Sequence, residues 1–187
     1  MRKIIVSNYV TFDGFFAGPQ GEIDWFIWNE ETTEYGKELL QAIDTILFGR
    51  VTYELMAGYW PTAAAAAEDP AIIEAMNNLP KVVFSRTLEK VEWNNAKLAK
   101  GDMGEEVIAL KRQPGRDIVI YGSGSIVSEL AERGLIDEYL LFVNPIVLSE
   151  GKPLFKGLKE RFHLELKKTK VFKNGVVLLD YQLAKQP

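Results

Sequence analysis

The residues of this sequence best suited to chemistry are glycines, hydroxyl side chains and arginines that directly follow three runs of strand-forming residues. The candidate ligand residues are Gly49, Arg50 and Thr52 in the first stretch, Ser85 and Arg86 in the second, and Gly122, Ser123, Gly124 and Ser125 in the third. The first and third stretches open helical segments, whose first backbone N–H groups lack partners and attract anions. Arginine adds a bidentate phosphate ligand. Each stretch alone is equally consistent with an ordinary turn, but together they predict a ligand with several phosphates.

We expect these three stretches to meet, because the carboxyl ends of parallel strands lie at one edge of a sheet, where ligands of open α/β proteins bind. The third stretch is not a Rossmann fingerprint, which would need a further glycine at Val127. No acidic residue follows the second strand to hold a free ribose 2′-hydroxyl, whereas arginine, serine and threonine suit a 2′-phosphate. The pattern therefore favours a dinucleotide that carries a 2′-phosphate.

Strand-like and helix-like segments alternate along most of the chain and would position these stretches. The predicted strands cover Ile4–Val10, Thr45–Phe48, Lys81–Phe84, Asp117–Tyr121 and Glu138–Val143. Helices are predicted to begin after the capping residues Asn29, Asp69 and Asp102. Alternating segments around Asn174-Gly175 predict a C-terminal hairpin. This order indicates an α/β fold with a mostly parallel sheet and an antiparallel edge.

The composition limits the classes of function. With 187 residues and 47% hydrophobic content, the chain is expected to form one domain over residues 1–187. The 22 basic and 26 acidic residues give a net charge of -4 without a basic track, so we expect no nucleic-acid partner. There is no cysteine, and the single His163 lies in an alternating segment, so no metal site is expected. Because we find no signal peptide and no long apolar run, we expect a cytoplasmic location and no membrane partner.

A family resemblance becomes recognisable from four segments that occur in order. These segments are Val10–Phe15, Leu47–Glu54, Phe84–Leu88 and Ile120–Ser125. Through them the chain resembles the dihydrofolate-reductase-like superfamily, and within it the C-terminal reductase domain of the bifunctional riboflavin-biosynthesis deaminase-reductase. The segments Leu135–Tyr139 and Gly151–Phe155 are similar too, so the resemblance spans nearly the whole chain. It implies a three-layer αβα sandwich, NADPH as the cofactor and a homodimer.

The resemblance also implies roles for the candidate residues. Phosphates of NADPH would be cradled by Gly49, Arg50 and Thr52, the adenosine 2′-phosphate would face Ser85 and Arg86, and the pyrophosphate would lie on Gly122, Ser123, Gly124 and Ser125. One departure concerns the substrate. Phe15 stands where the riboflavin-pathway reductases usually have a lysine, which argues against a phosphoribosyl substrate.

The reducible substrate needs an aromatic pocket beside the nicotinamide and a proton donor within reach. The predicted catalytic residue is Asp13, which also counts as a substrate-binding residue together with Trp25 and Trp60, and Asp24 is a further candidate. Asp13 is equally consistent with a side chain that holds the Asp-Gly turn. Asp24 is equally consistent with a turn or cap residue, and the two tryptophans with core residues.

We therefore expect an NADPH-dependent reductase of a small heterocyclic substrate, similar to 5-amino-6-(5-phosphoribosylamino)uracil reductase of riboflavin biosynthesis. One alternative is a dihydrofolate or pterin reductase, which would need a carboxylate in the first helix. Glu30, Glu31 and Glu34 lie near that region, but none fits the expected pattern. The other alternative is a nucleotide-binding protein without turnover.

Overall fold

The computed structural model describes residues 1–184 and contains a central sheet of eight strands beside a small sheet of two. The strands are β1 (Ile4–Thr11), β2 (Phe15–Ala17), β3 (Ile43–Gly49), β4 (Lys81–Phe84), β5 (Ala96–Leu98), β6 (Asp117–Tyr121), β7 (Glu138–Asn144), β8 (Lys152–Pro153), β9 (Leu164–Val171) and β10 (Val177–Leu183). The helices are α1 (Glu30–Ala42), α2 (Arg50–Ala57), α3 (Pro70–Asn78), α4 (Met103–Arg112) and α5 (Gly124–Glu132), and a 3₁₀ helix covers Ala63–Ala67. The large sheet has the order β5-β4-β3-β6-β1-β7-β10-β9, and β2 pairs with β8 in the small sheet.

Helices cover both faces of the large sheet. Val107 of α4 and Leu130 of α5 belong to the hydrophobic cluster on one face. Leu40 of α1 and Met76 of α3 belong to the cluster on the other face. Strands β5, β4, β3, β6, β1 and β7 are parallel to their neighbours in that series, and β10 is antiparallel to both β7 and β9. This αβα sandwich confirms the predicted fold class.

Strand β1 lies between β6 and β7, within the parallel part of the sheet. Its side chains alternate between the two clusters, with Ile4 and Val6 in one and Ile5 in the other. A strand that is covered on both faces needs apolar residues at odd and even positions, which is the pattern that predicted it. Because α1 and α5 lie on opposite faces, the chain leaves the adjacent strands β1 and β6 in opposite directions. That divergence opens a crevice at the carboxyl ends of these strands.

The predicted helix starts are confirmed by their caps. The Asn29 side chain accepts a hydrogen bond from the Thr32 amide at 2.9 Å, and the Asn29 amide donates to the Thr32 hydroxyl at 3.0 Å. The carboxylate of Asp69 accepts from Ala71, and Asp102 accepts from the first turn of α4. Each cap satisfies backbone donors that the helix leaves unpaired.

The C-terminal hairpin is also confirmed, with β9 and β10 joined through Asn174-Gly175. Gly175 has a φ of 86°, a left-handed conformation that glycine adopts without steric cost. Three short strands, β2, β5 and β8, were not predicted. Each has only two or three residues, too few for an alternating pattern to be visible in the sequence.

Strand β4 begins at Lys81, whose buried side chain holds three backbone segments together. Its ammonium donates to the carbonyl groups of Asn77 at 3.1 Å, Leu79 at 2.7 Å and Asn94 at 3.1 Å. Burial lowers the pKa of Lys81 to about 8. This anchor positions the start of β4, and the second predicted ligand stretch follows the other end of the same strand.

No helix within residues 1–184 is long and apolar enough to cross a membrane. The same residues contain no group of three or more histidine, cysteine, aspartate or glutamate side chains arranged to hold a metal ion. His163 lies exposed on the surface, one residue before β9.

Candidate active site

One large cleft, with a volume of about 1670 Å³, lies at the carboxyl ends of β4, β3, β6 and β1. All the residues predicted from the three stretches line it. They are Gly49, Arg50, Thr52, Ser85, Arg86, Gly122, Ser123, Gly124 and Ser125. The adjacency of β4, β3 and β6 brings these segments together, although 70 or more residues separate the first from the third. Their role as ligands of a nucleotide stays a prediction.

The first and third stretches are joined by a hydrogen-bonded cluster of Gly49, Thr52 and Ser123, which we call the Thr52–Ser123 lock. The Gly49 amide donates to the Ser123 hydroxyl at 2.7 Å. The Ser123 amide and hydroxyl both donate to the Thr52 hydroxyl oxygen, at 3.1 and 2.9 Å. Through these bonds Thr52 and Ser123 hold the two helix starts together. The Thr52 hydroxyl acts as the acceptor in both of its bonds and keeps its own proton, so the direct phosphate contacts that were predicted for these residues stay a prediction.

The lock depends on close backbone approach. A Cβ atom on Gly122 would lie 2.8 Å from the Thr52 hydroxyl oxygen, and one on Gly49 would lie 2.9 Å from the Ser123 hydroxyl oxygen. Gly122 also has a φ of 61°, in the left-handed region that favours glycine. The next residue, Ser123, has a φ of 58°, which is uncommon for a residue with a side chain. The glycines of the third stretch are therefore explained by the lock as well as by a ligand.

The lock decides which backbone N–H groups are available to an anion. The Gly122 amide donates to the side-chain oxygen of Asn8 at 2.8 Å, and the Ser123 amide donates to Thr52. Gly124 and Ser125 are the first two residues of α5, where an amide has no intrahelical partner. The first turn of α5 carries no acidic side chain. Within the third stretch, the backbone amides that remain available to an anion are therefore those of Gly124 and Ser125.

The second stretch presents a cation to the cleft. The Ser85 hydroxyl accepts hydrogen bonds from the amides of Thr87 at 3.1 Å and Leu88 at 2.9 Å, so Ser85 builds the turn. Arg86 is exposed at that turn, and within residues 1–184 its guanidinium forms no ion pair. Arg50 differs, because it pairs with Glu54 at 2.9 Å on the surface of α2. Arg86 is the more available anion ligand of the two.

At the β1 end, the cleft is walled by an aromatic compartment of Tyr9, Phe26, Trp28 and Phe142. The Tyr9 ring lies 4.7 Å from Phe142 and 4.9 Å from Phe26, both stacked, and 4.5 Å from Trp28. Burial raises the pKa of Tyr9 to about 12, so its hydroxyl keeps its proton at neutral pH. Sequence reasoning missed these residues as a site. The signal that was present is the run of aromatics in the loop before α1.

The two predicted substrate tryptophans have different positions. Trp60 lines the cleft, as predicted, and its indole N–H donates to the Met56 sulfur at 3.2 Å. Trp25 is buried and does not line the cleft; its ring packs edge-on against Phe26 at 4.5 Å. Trp25 therefore packs against the aromatic compartment through Phe26, on the side away from the cleft lining, and does not face a substrate there.

The predicted catalytic residue Asp13 lies outside the lining of the cleft, and so does Asp24. The Asp13 carboxylate accepts hydrogen bonds from the amides of Ser149 at 2.9 Å and Leu148 at 3.3 Å. The Thr11 hydroxyl, together with these amides, lowers the pKa of Asp13. An exposed carboxylate that stays ionised is a poor proton donor. The geometry matches the alternative in which Asp13 holds a turn, and it does not support the catalytic assignment.

None of the three glutamates considered for a pterin-binding carboxylate, Glu30, Glu31 and Glu34, lines the cleft. Helix α1 contributes Thr32 and Thr33 to the lining. Glu31 accepts from the Lys173 amide at 2.9 Å, and Glu34 pairs with Lys37 at 2.5 Å. The α1 residues that line the cleft therefore include no carboxylate, and the Thr32 hydroxyl is already used in the cap with Asn29.

The RibD C-terminal domain family model matches residues 2–178, and the chain belongs to this family. The sequence is 38% identical over 180 residues to YyaP of Bacillus subtilis (strain 168), described as uncharacterized, with 96% of this chain and 94% of YyaP covered. Family membership confirms the predicted resemblance and supports an oxidoreductase of the reductase type found in the riboflavin pathway.

Solved structures share the fold. A putative riboflavin biosynthesis protein from Shewanella sp. PV-4 superposes with a TM-score of 0.80 at 22% identity, covering 98% of this chain and 99% of that one. A dihydrofolate reductase from Enterococcus faecalis complexed with NADP(H) matches with a TM-score of 0.65 at 17% identity, covering 98% and 97%. The likeness extends over nearly the full length of both proteins.

The lock generates the first prediction. Thr52→Val keeps the shape of the side chain and removes the hydroxyl that accepts the Ser123 amide, leaving a buried donor unpaired. We expect the free energy of unfolding to fall by about 1–3 kcal/mol. Hydrogen exchange at the Gly49 and Ser123 amides should become faster than in the wild type. Thr52→Ser, which keeps the hydroxyl, is the matched control and should change little; equal protection in both variants would contradict the lock.

Asp13 generates the second prediction. Because its folded-state pKa is lowered, its contribution to stability is present above the ordinary pKa of about 4 and is lost as the pH falls through the lower folded-state value. Asp13→Asn should therefore lower the melting temperature at pH 7, and the difference from wild type should disappear in strong acid. Asp24→Asn is the control, since Asp24 is exposed in the following loop, between β2 and α1. A difference that does not depend on pH would show that Asp13 does not act through its charge.

Proposed function

We propose that this protein is an NADPH-dependent reductase of a small heterocyclic substrate, similar to 5-amino-6-(5-phosphoribosylamino)uracil reductase of riboflavin biosynthesis. One observation carries the proposal: a single cleft joins anion-binding groups at its β4 and β6 side to an aromatic compartment at its β1 side. A dinucleotide that delivers hydride needs both, with its phosphates at one end and its reacting ring against a substrate at the other.

The anion-binding groups suit the phosphates of NADPH in a definite order. The amides of Gly124 and Ser125 at the start of α5 would hold the pyrophosphate, where the helix dipole also favours negative charge. Arg86, in the turn that follows β4, two strands away from β6, would bind the adenosine 2′-phosphate. Arg50 lies at the start of α2, which follows β3, the strand between β4 and β6. Its guanidinium would break the ion pair with Glu54 and bind a phosphate instead.

The aromatic compartment would hold the substrate ring against the nicotinamide. When bound, NADPH supplies the hydride. Stacked rings exclude water from the reacting face and orient a planar acceptor. The protonated Tyr9 hydroxyl would donate a hydrogen bond to a substrate heteroatom as negative charge develops there. Lys152 and Lys156 also line the cleft and offer cations for an anionic substituent of the substrate. They would supply the positive charge that Phe15, which stands in place of a lysine, cannot provide.

The absence of a carboxylate from the α1 side of the compartment argues against the pterin alternative. A dihydrofolate or pterin reductase of the kind considered above needs an acid in the first helix, and Thr32 and Thr33 are the α1 hydroxyls at the cleft. We therefore place pyrimidine-like or quinone-like heterocycles ahead of pterins. A nucleotide-binding protein without turnover would share the phosphate site and needs a direct test.

Cofactor choice is the third prediction. The wild type should bind NADPH about ten- to several-hundred-fold more tightly than NADH, because a guanidinium bond to a dianionic phosphate contributes about 1.5–3 kcal/mol. Arg86→Ala should remove most of that preference and leave NADH affinity nearly unchanged, as measured by calorimetric titration. Arg112→Ala, an exposed arginine on α4 outside the cleft, is the control. Equal affinity of the wild type for both nucleotides would contradict the NADPH assignment.

Turnover is tested separately, by following NADPH oxidation with panels of pyrimidines, quinones and pterins under saturating cofactor. We expect oxidation with a planar heterocycle of the first two groups and little with dihydropterins. Tight NADPH binding without oxidation across all panels would instead support the binding protein without turnover.

A further inference from the structure

A buried donor at the floor of the cleft has no partner in the protein. Asn8 lies on β1, lines the cleft and is only 4% exposed. Its side-chain oxygen accepts a hydrogen bond from the Gly122 amide at 2.8 Å. Because an amide N–H requires an acceptor, this bond fixes which end of the Asn8 side chain is the oxygen. The other end, Nδ2, is a donor without a hydrogen-bond partner among residues 1–184.

An unpaired buried donor is unusual, since buried polar groups in folded proteins nearly always find partners. The other such atom in the described chain is Oδ1 of Asp180 on β10, two strands away from β1. That oxygen has an electrostatic explanation, because the Lys167 ammonium lies 4.0 Å away. The Asn8 donor has no comparable neighbour among the ion pairs and hydrogen bonds of residues 1–184. Its unmet hydrogen bond therefore points to a ligand.

The position of Asn8 along the cleft indicates which part of a nucleotide it would meet. The strand order β4-β3-β6-β1 places Arg86 at one end and Asn8 at the other. Asn8 is bonded to Gly122, which precedes the Gly124 and Ser125 amides of α5. The next residue of β1, Tyr9, has its ring on the opposite face of the sheet, and both residues line the cleft near the carboxyl end of the strand. Asn8 thus lies between the predicted pyrophosphate site and the predicted position of the reacting ring. That interval corresponds to the nicotinamide ribose and the nicotinamide carboxamide, both of which carry acceptor oxygens.

We propose that Asn8 Nδ2 donates a hydrogen bond to an acceptor oxygen in the nicotinamide half of the bound cofactor. The inference rests on the function proposed above and adds a specific residue to it. The same side chain links the cofactor to the third stretch, because its oxygen end holds Gly122 in the left-handed turn before α5. Asn8 is accordingly a cofactor-positioning residue: it transfers no proton, and it sets where the reacting ring sits relative to the pyrophosphate.

The test compares two ligands that differ in the nicotinamide half. Asn8→Asp keeps an oxygen for the Gly122 amide and replaces the donor by an acceptor, so it changes the inferred contact and preserves the turn. We expect the dissociation constant for NADPH to rise at least tenfold, while that for adenosine 2′,5′-bisphosphate, which lacks the nicotinamide half, stays within twofold. Asn94→Asp is the control, because it makes the same exchange at an exposed asparagine outside the cleft. It should weaken neither ligand selectively.

A second measurement on the wild type needs no substitution. The side-chain amide protons of Asn8, observed by ¹⁵N-correlated NMR, should shift on addition of NADPH and remain unchanged with adenosine 2′,5′-bisphosphate. Equal loss of both ligands in Asn8→Asp, or no loss of either, would overturn the inference, as would an unshifted Asn8 amide in the NADPH complex. If the protein does not use NADPH at all, the wild type would bind neither NADPH nor adenosine 2′,5′-bisphosphate. That outcome differs from a failure of the Asn8 contact alone, in which the wild type still binds both ligands.

Discussion

The geometry of the cleft depends on one cluster of hydrogen bonds, in which the Thr52 hydroxyl accepts both the amide and the hydroxyl of Ser123. These bonds connect the starts of α2 and α5, which follow the adjacent parallel strands β3 and β6. Glycine is required at 49 and 122 because a Cβ at either position would press against the cluster. Within the third stretch, the amides of Gly122 and Ser123 are occupied, and those of Gly124 and Ser125 are left to face an anion.

The remainder of the cleft is arranged along the strand order. Arg86 stands at the β4 end, the α5 amides and Asn8 lie near β6 and β1, and the rings around Tyr9 close the β1 end. Arg86 and the α5 amides therefore lie toward one end of the cleft, and the aromatic rings around Tyr9 lie at the other. This arrangement suits a dinucleotide, whose phosphates need anion ligands and whose reacting ring needs an aromatic pocket. Families that share this fold can keep the phosphate end and change the aromatic end, because α1 and the loop before it supply much of the latter.

Much of this account could be predicted from the sequence, because local signals and the parallel-sheet rule agree. The Asn29 cap, the strand before Gly49 and the turn at Asn174-Gly175 were each predicted from a few neighbouring residues. Side-chain roles were harder, since Thr52 meets a partner 71 residues away and Asp13 meets one 136 residues away. The aromatic compartment was missed for the same reason: Tyr9 and Phe142 lie opposite each other only once β1 pairs with β7.

We propose that the cofactor lies across β4, β3, β6 and β1 in one orientation, and a crystal structure of the complex with NADP⁺ tests this orientation most directly. We expect the adenosine 2′-phosphate at Arg86, the pyrophosphate within hydrogen-bond distance of the Gly124 and Ser125 amides, and the nicotinamide ring beside Tyr9. Density with the adenine in the aromatic compartment, or a nucleotide bound elsewhere on the protein, would contradict it.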